Sequence, residues 1–354
     1  MAPMKAGLLV GPRRIAVREV PTPSARRGEA LVRIRAVGIC RSDLHYYLHG
    51  RIGSQVIRSY PQELGHEPAG EVEALGPEAR GVRVGDRVAI EPAVPCGKCA
   101  VCRAGRGNIC ARVRFLGMPG LPGAFCEYLA WPAENLAKIP KSMSFAEAAA
   151  LEPFAIGVHA VSLLGSRRYR TAAVVGCGPV GLSVVAALAA GRLTAGRPSA
   201  KGTRVTACDY FAPRLRVARR MRADRVVRID PRRPMAKQAA KLGGPEVVFE
   251  AGGTTEALDL AILAVRPGGV VGVIGIMEED LTPVNLHAAR RKELVILNVR
   301  RSNGELHEAI RLAASGRANL RPMVTHRGGL ADAARLFRLA AGRSGGVVKA
   351  IIEP

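Results

Sequence analysis

The sequence predicts an α/β protein in which a doubly wound parallel sheet is combined with a second domain. Apolar residue types make up 48% of the 354 residues, and there are 40 glycines, as in a protein with a packed core. Short apolar runs alternate with helical segments from Thr171 to Leu297, the pattern of parallel strands joined by helices. The length allows two domains of ordinary size.

A glycine-rich loop follows the first strand of this sheet. The run from Thr171 to Val175 is followed by Gly-Cys-Gly-Pro-Val-Gly and then by an apolar helical stretch. In such a G-x-G-x-x-G loop the glycines allow a tight turn, the approach of a pyrophosphate and close helix packing. The free N–H groups of the helix then face the phosphates. We therefore predict a dinucleotide site at Gly176, Gly178, Pro179, Val180 and Gly181.

Asp209 ends the next strand and indicates which dinucleotide binds. An acidic residue at this place binds the adenosine ribose hydroxyls and repels a 2′-phosphate, so the sequence favours NAD over NADP. Arg214 is assigned to the same site. Asp209 follows the glycine loop at more than the usual distance of about 20–25 residues, and residues 191–202 are interpreted as an inserted loop.

Four of the eight cysteines are clustered with C-x2-C-x2-C-x7-C spacing, at Cys96, Cys99, Cys102 and Cys110. Without a predicted secretory leader, they are interpreted as metal ligands rather than disulfides. Four thiolates complete a tetrahedral zinc shell, so this zinc would be structural and would stabilise the glycine-rich lobe at about residues 95–111. An iron–sulfur cluster is the alternative. We expect Cys126, Cys177 and Cys208 to be buried apolar residues.

The formal net charge is +24, with 44 arginines and 9 lysines. Residues 154–296 contain 22 basic and 11 acidic residues, and the rest of the chain contains 31 and 18, so the excess is spread along the chain. There is no basic tail and no basic stretch rich in aromatics, so nucleic-acid binding is not expected. No apolar run approaches the roughly 18 residues of a membrane span, and we predict a cytoplasmic protein.

Two further motifs predict a second metal site. Cys40 lies in Gly-Ile-Cys-Arg-Ser-Asp-Leu-His, and His66 and Glu67 lie in Gly-His-Glu-Pro-Ala-Gly. A thiolate, an imidazole and a carboxylate provide three protein ligands and leave one position for water or substrate, as in catalytic zinc sites.

With these motifs, the cysteine cluster and the glycine loop, the chain resembles the zinc-dependent medium-chain alcohol dehydrogenases. It is most similar to their polyol (sorbitol/xylitol) branch at residues 45–53 and 151–160. The resemblance implies a GroES-like β-barrel catalytic domain (residues 1–153 and 297–354) interrupted by a Rossmann NAD-binding domain (residues 154–296). It also implies a homodimer or homotetramer formed through the cofactor domains.

The resemblance further implies roles for single residues. Cys40, His66 and Glu67 would bind a catalytic zinc, with Glu152 as a ligand or just outside the ligand shell; the sequence leaves the choice between the two glutamates open. Ser42, with His45 nearby, would carry the alcohol proton toward water. The candidate substrate-binding residues are Tyr46, Phe115, Arg300 and Arg301. Arg301 stands where the polyol branch has an aromatic residue, which implies a more cationic pocket.

The expected activity is hydride transfer from a polyol or secondary alcohol to NAD, giving a ketone or aldehyde and NADH. Two zinc ions per chain are expected. The alternatives on the same scaffold are an amino-alcohol (threonine-type) dehydrogenase and a cyclitol or sugar-derivative dehydrogenase. A more distant alternative is a basic zinc-lobe protein that binds nucleic acid without catalysis.

Overall fold

The structure is a computed structural model that describes residues 2–191, 202–230, 232–277 and 279–354. The chain forms two compact units, Met1–Glu152 with Val324–Pro354, and Pro153–Met323. The predicted inserted loop at residues 191–202 falls outside the described residues except for its two ends. Within the described ranges, no helix is long and apolar enough to cross a bilayer.

The first unit consists mainly of antiparallel strands, and elements are numbered along the chain. Its strands are β1 (Met4–Gly11), β2 (Arg14–Val20), β3 (Glu29–Gly38), β4 (Arg51–Ile52), β5 (Gln55–Val56), β6 (Gln62–Glu63), β7 (Glu67–Leu75), β8 (Arg87–Ile90), β9 (Ala93–Val94), β10 (Arg114–Phe115), β11 (Tyr128–Pro132), β12 (Leu136–Lys138), β19 (Val324–Gly329) and β20 (Lys349–Glu353). Its helices are α1 (Arg41–His49), α2 (Ala100–Arg103), α3 (Phe145–Ala149) and α11 (Ala333–Gly342).

Strand β3 organises this unit because it pairs with β7, β11 and β20. Among the described residues, the sheet has the order β12-β8-β7-β3-β20-β19, with β11 paired to β3. Side chains such as Ile34, Ile90 and Trp131 are buried in the core of this unit. The C-terminal strand β20 is therefore hydrogen-bonded beside the strand that leads into Cys40.

The second unit contains a parallel sheet with helices between its strands. Its strands are β13 (Thr171–Val175), β14 (Arg204–Asp209), β15 (Arg225–Arg228), β16 (Val247–Glu250), β17 (Val270–Val273) and β18 (Val295–Asn298). The helices are α4 (Leu151–Ser162, which begins in the first unit), α5 (Pro179–Ala189), α6 (Ala212–Arg220), α7 (Met235–Ala240), α8 (Thr255–Ala264), α9 (Leu286–Arg291) and α10 (Leu306–Ala314).

The strand order β15-β14-β13-β16-β17-β18 confirms the predicted doubly wound fold. All neighbouring pairs are parallel. The order reverses between β13 and β16, and ligands of such sheets bind at the carboxyl ends of the strands at this point. The glycine loop follows β13 directly, so the fold places the predicted dinucleotide site at this end.

The boundary between the units lies later in the chain than the predicted domain boundary at residue 297. Residues 297–323 pack with the second unit. The Arg222 guanidinium donates to the carbonyls of Gly316 and Arg317, and Arg317 donates to the carbonyl of Ala190. These contacts hold the segment after β18 against the parallel sheet unit until β19 begins.

Candidate active site and metal centres

The four clustered cysteines come together on a short lobe of the first unit. Cys99 caps α2, Cys102 lies within that helix, and Cys110 follows a 3₁₀ turn. All four sulfur atoms lie within 4.8 Å of one another, with the Cys99 and Cys110 sulfurs 3.9 Å apart. A zinc–sulfur distance of about 2.3 Å in a tetrahedron places sulfurs about 3.8 Å apart. The cluster therefore fits a four-thiolate zinc site.

Hydrogen bonds to the sulfurs favour thiolates in this lobe. A hydrogen bond from the backbone of Lys98, followed by one from Arg112, lowers the pKa of Cys96 to about 5. The pKa of Cys99 is also lowered, first by a backbone hydrogen bond at Cys102. Burial and the neighbouring thiols raise the pKa of Cys102 to about 12. A metal cation bound by all four sulfurs would balance the negative charges of the four thiolates, including that of Cys102.

A second cluster forms because two strands meet in a fixed register. In the β3–β7 pair, Gly38 lies opposite Glu67, and Cys40 follows two residues later as the N-cap of α1. The ligand atoms of Cys40, His66 and Glu67 lie within 4.8 Å of one another. Gly38 is required here because the Glu67 carboxylate fills the space that a Cβ at position 38 would need.

Asp43 orients this cluster, and sequence reasoning did not identify it as a site residue. Its carboxylate accepts the Cys40 N–H at 2.9 Å and the Gly65 N–H at 3.1 Å, and it lies 3.4 Å from His66 Nδ1. The other ring nitrogen, Nε2, lies 3.1 Å from Ser42 Oγ. A carboxylate behind a ligating imidazole is the usual outer partner of a metal-binding histidine.

The cluster attracts positive charge. Burial disfavours the charged imidazole of His66, but Asp43 and Cys40 outweigh burial and raise its pKa well above the ordinary value. A metal cation bound to the thiolate, imidazole and carboxylate would supply this positive charge in place of a proton. The donor set therefore fits zinc, as the sequence predicted.

Lys349 is a second residue that sequence reasoning missed. It lies on β20, and its ammonium donates to both carboxylate oxygens of Glu67, at 2.6 and 2.5 Å, and to the carbonyl of Ile39 at 3.1 Å. Both charged side chains have no exposed surface. The only signal in the sequence was a single lysine inside an apolar strand, Val-Val-Lys-Ala-Ile-Ile.

Glu152 lies close to this cluster but differs from Glu67. It is buried in the first turn of α4, and its Oε2 has no hydrogen-bond partner among the described residues. Burial is the main cause that raises the pKa of Glu152 to about 8; His66 opposes the rise and Glu67 adds to it. Glu67, and not Glu152, belongs to the group of mutually close ligand atoms.

The other predicted residues of the first unit lie on α1 and β10. His45 and Tyr46 are buried on α1, and the Tyr46 hydroxyl donates to Gln55 at 3.2 Å. The ring of Phe115 lies 5.2 Å from the ring of His66, measured between centroids. Phe115 is therefore an apolar neighbour of the metal cluster.

In the second unit, the glycine loop leaves space at one position. A Cβ at Gly181 would meet the carbonyl oxygen of Gly176, and a Cβ at Gly176 would meet the backbone of Gly252. At Gly178 no atom lies within 4 Å of the corresponding position. Pro179 then begins α5 at a position where its missing N–H costs nothing. The loop is closely packed at its two outer glycines and open at Gly178, as a pyrophosphate site requires.

Asp209 connects this loop to the end of β14. Its carboxylate accepts the Cys177 N–H and the Phe211 N–H, both at 2.8 Å. Arg214 lies 3.8 Å from the same carboxylate, and its guanidinium lies over the Phe211 ring at 5.6 Å. These contacts hold the Asp209 side chain beside the glycine loop. Cys126, Cys177 and Cys208 are buried, as expected.

Arg300 and Arg301 lie in the second unit, on the segment between β18 and α10. Arg301 has φ +55°, a left-handed conformation that is costly for a residue with a side chain. The Glu305 carboxylate accepts the Asn303 N–H at 2.5 Å and lies 2.8 Å from His159 Nδ1. Glu305 therefore holds this segment against α4.

Glu305→Gln is expected to lower stability at pH 7 by about 1–3 kcal/mol, the scale for hydrogen bonds to charged groups. Burial raises the pKa of Glu305, but the His159 and Asn303 hydrogen bonds outweigh it and lower the pKa below its ordinary value. A lowered carboxyl pKa stabilises the fold above the unfolded-state value and loses that effect as pH falls through the folded-state value. In urea unfolding, the difference in free energy of unfolding between wild type and variant should therefore disappear in acid.

The surface pair of Glu308 with Arg311 provides a control for this prediction. Glu308→Gln should change stability by less than about 1 kcal/mol.

Comparison with known proteins identifies the family. Residues 26–141 match the alcohol dehydrogenase GroES-like domain, and residues 195–315 match the zinc-binding dehydrogenase domain. Sorbitol dehydrogenase from Bacillus subtilis is 36% identical over 324 residues, which cover 91% of this chain and 89% of that protein. The chain belongs to the zinc-dependent medium-chain alcohol dehydrogenases. Membership of this family favours zinc over an iron–sulfur cluster in the cysteine lobe. It does not favour a non-catalytic nucleic-acid-binding protein.

Solved structures of similar dehydrogenases agree with the fold over the whole chain. A dehydrogenase from Escherichia coli CFT073, solved with NADH, has a TM-score of 0.87 at 27% identity and covers 100% of both chains. L-idonate 5-dehydrogenase from Escherichia coli has a TM-score of 0.87 at 26% identity and covers 100% of this chain and 99% of that chain. This medium-chain dehydrogenase is therefore an oxidoreductase of a zinc-binding family, and its two clusters provide candidate zinc ligands.

Proposed function

We propose that this enzyme oxidises a polyol or secondary alcohol with NAD and releases a ketone or aldehyde and NADH. The observation that carries the proposal is the Cys40, His66 and Glu67 cluster, with Ser42 beside His66, in a chain that also has an open glycine loop. The identity of 36% to a sorbitol dehydrogenase supports a polyol as the substrate.

The residues present divide between two metal sites. Cys40, His66 and Glu67 would hold the catalytic zinc, with Glu152 just outside them, because only Glu67 lies among the mutually close ligand atoms. The lobe cysteines would hold the structural zinc. When bound, the catalytic zinc supplies Lewis-acid polarisation of the substrate oxygen. Asp43 holds the His66 ring in the orientation this requires.

Ser42 would take the proton of the substrate hydroxyl. Its Oγ lies 3.1 Å from His66 Nε2, at the metal cluster. His45 follows three residues later on α1, so both side chains lie on the same face of the helix. This arrangement supports a proton path that would begin at Ser42 and continue toward His45.

The second unit would hold the cofactor. The open space at Gly178 and the N-terminus of α5 suit the pyrophosphate, and Asp209 suits the adenosine ribose. When bound, the nicotinamide would supply the hydride acceptor, and the protein would contribute positioning of the reactants and exclusion of water. In the first unit, Tyr46 and Phe115 would contact the substrate.

A panel of polyols, amino alcohols and sugar acids, followed by NADH absorbance, tests the proposal. We expect the highest kcat/KM with a polyol, and elemental analysis should find two zinc ions per chain. Turnover confined to amino alcohols would favour the threonine-type alternative. Preference for a sugar acid would favour the sugar-derivative alternative, which the likeness to L-idonate 5-dehydrogenase supports.

Asp209→Ala is expected to relax the preference for NAD over NADP. Removing the carboxylate removes the repulsion of a 2′-phosphate and leaves Arg214 beside the same site. The ratio of kcat/KM for the two cofactors should shift toward NADP by about tenfold or more, which corresponds to about 1.4 kcal/mol. Asp224→Ala, at another carboxylate of this unit, is the control, and an equal shift there would contradict a specific role for Asp209.

We propose that two copies associate through the edge of the parallel sheet at β18. This strand ends the sheet, and Val295 on it is half exposed. Leu281 and Leu286, a few residues earlier, are strongly exposed apolar side chains. An open, apolar strand edge is a template for pairing with a second strand, and a second copy offers the same edge.

Val295→Asp is expected to convert dimers to monomers in sedimentation equilibrium, because a buried charge at the paired edge would be uncompensated. Val84→Asp, at an exposed valine of the first unit, should leave the mass unchanged. A monomeric wild type would contradict the proposal.

A cytoplasmic location also stays a proposal. Both cysteine-containing clusters need reduced thiols, which supports a cytoplasmic location, and cell fractionation would test it.

A further inference from the structure

Lys349 forms a fully buried ion pair inside the candidate metal centre. Its ammonium has three N–H donors, and three acceptors surround it: the two carboxylate oxygens of Glu67 and the carbonyl of Ile39. Burying a lysine is costly unless its charge is balanced. All three donors of the ammonium are therefore satisfied.

Lys349 contacts residues of the candidate metal site, so its role concerns metal binding rather than general stability of the fold. Glu67 is the carboxylate that completes the cluster with Cys40 and His66, and Ile39 directly precedes Cys40. The β3–β20 pairing brings the C-terminal strand to this point. An ammonium cannot ligate a metal, so Lys349 acts on the metal only through Glu67 and through its charge.

We propose that Lys349 is a built-in counter-cation that balances Glu67 in the metal-free protein and competes with the metal for that carboxylate. The proposal rests on the assignment of Cys40, His66 and Glu67 as the catalytic zinc site. Two cations close to one carboxylate repel each other strongly in a buried site. The metal-free site is therefore stable, and the metal is bound more weakly than its donors alone would bind it.

A positioning role with the opposite effect is the competing explanation. Outer partners often orient a ligating carboxylate, and their loss then weakens metal binding by about 10–100-fold. A counter-cation predicts the reverse, because its removal frees the carboxylate and removes a repelling charge. The sign of the change in zinc affinity therefore separates the two roles without any measurement of turnover.

Lys349→Met retains the length of the side chain and removes its charge. Zinc affinity is measured at pH 8 by competition with a chromophoric chelator. Two zinc ions are expected per chain, and the step of zinc release that is lost in Cys40→Ser is assigned to the Cys40 site. The variant is expected to bind zinc tighter by about tenfold or more, on the scale known for outer partners. Zinc should also raise its Tm more than it raises that of the wild type. Unchanged or weaker affinity would overturn the proposal.

Lys138→Met is the matched control. Lys138 pairs with Asp86 at 2.8 Å on the surface of the same unit. The zinc affinity of the Lys138→Met variant should equal that of the wild type. If Lys349→Met does not fold, Glu67→Gln and Glu67→Gln/Lys349→Met are compared, since the double variant has no buried charge at this pair. The double variant should bind zinc tighter than Glu67→Gln alone, and equal affinity would overturn the proposal.

The metal assignment itself has a separate readout. If zinc release is identical in the wild type and Cys40→Ser, the Cys40 cluster is not a zinc site, and the proposed function fails together with the role of Lys349. If Cys40→Ser removes one release step and Lys349→Met leaves that step unchanged, only the counter-cation proposal fails.

Discussion

Cys40→Ala is expected to lower kcat by about 10³-fold or more, because loss of a thiolate ligand removes the several kcal/mol that a Lewis-acid metal supplies. Binding of NADH should stay within about twofold, measured by fluorescence titration, since the glycine loop belongs to the other unit. The variant should fold, because Asp43 accepts the backbone N–H of residue 40 and alanine keeps that hydrogen bond. Elemental analysis should show one zinc ion per chain instead of two.

Cys126→Ala is the matched control for this prediction. Cys126 is a buried cysteine of the same unit whose thiol lies against the carbonyls of Gly123 and Tyr128. Burial raises its pKa, which disfavours a thiolate. We expect both zinc ions and most of the turnover to remain in this variant. Comparable losses in the two variants would mean that packing, and not a metal ligand, explains the effect at Cys40.

The predictions from sequence that depended on short spacing agree with the structure. The four lobe cysteines lie within one short stretch of chain, so their spacing already limits how far apart the sulfurs can be. The glycine loop is also local, because it joins one strand to the next helix, and its position at the carboxyl end of β13 follows from the parallel sheet. In these cases local chemistry and local geometry were sufficient.

The interactions that sequence reasoning missed depend on strand pairing between distant segments. Lys349 reaches Glu67 because β20 and β7 both pair with β3. No local pattern near either residue predicts this meeting. The segment at 297–323 shows the same difficulty, since its helix α10 has an amphipathic pattern that fits either unit. Hydrogen bonds from Arg222 and Arg317, and not the helix pattern, associate it with the second unit.

The sequence alone also could not decide whether Glu67 or Glu152 is the candidate metal ligand. Both are single glutamates in short motifs, and the sequence gives each a plausible metal role. The structure differentiates them by position: the ligand atoms of Cys40, His66 and Glu67 lie within 4.8 Å of one another, and Glu152 does not belong to this group. Only a set of distances could make that distinction, because both residues have the same chemistry.

Gly178→Ala is expected to weaken NADH binding by about tenfold or more without lowering Tm. A Cβ at this position meets no protein atom within 4 Å, so the fold can accept it. The same methyl group would occupy the space through which the backbone reaches a pyrophosphate. Loss of one or two charge-assisted hydrogen bonds, at about 1.5–3 kcal/mol each, gives an effect of this size. Fluorescence titration and thermal unfolding measure the two quantities.

Gly181→Ala should give a different result, although it lies on the same loop. Its Cβ would meet the carbonyl oxygen of Gly176, and a backbone atom cannot move aside as a flexible side chain can. Overpacking of this kind costs about 1–3 kcal/mol, so Tm should fall together with NADH affinity. If Gly178→Ala instead lowers Tm and leaves NADH affinity unchanged, the open space at Gly178 is not part of the cofactor site. The two alanine variants therefore distinguish space that the protein fills from space that it leaves for a ligand.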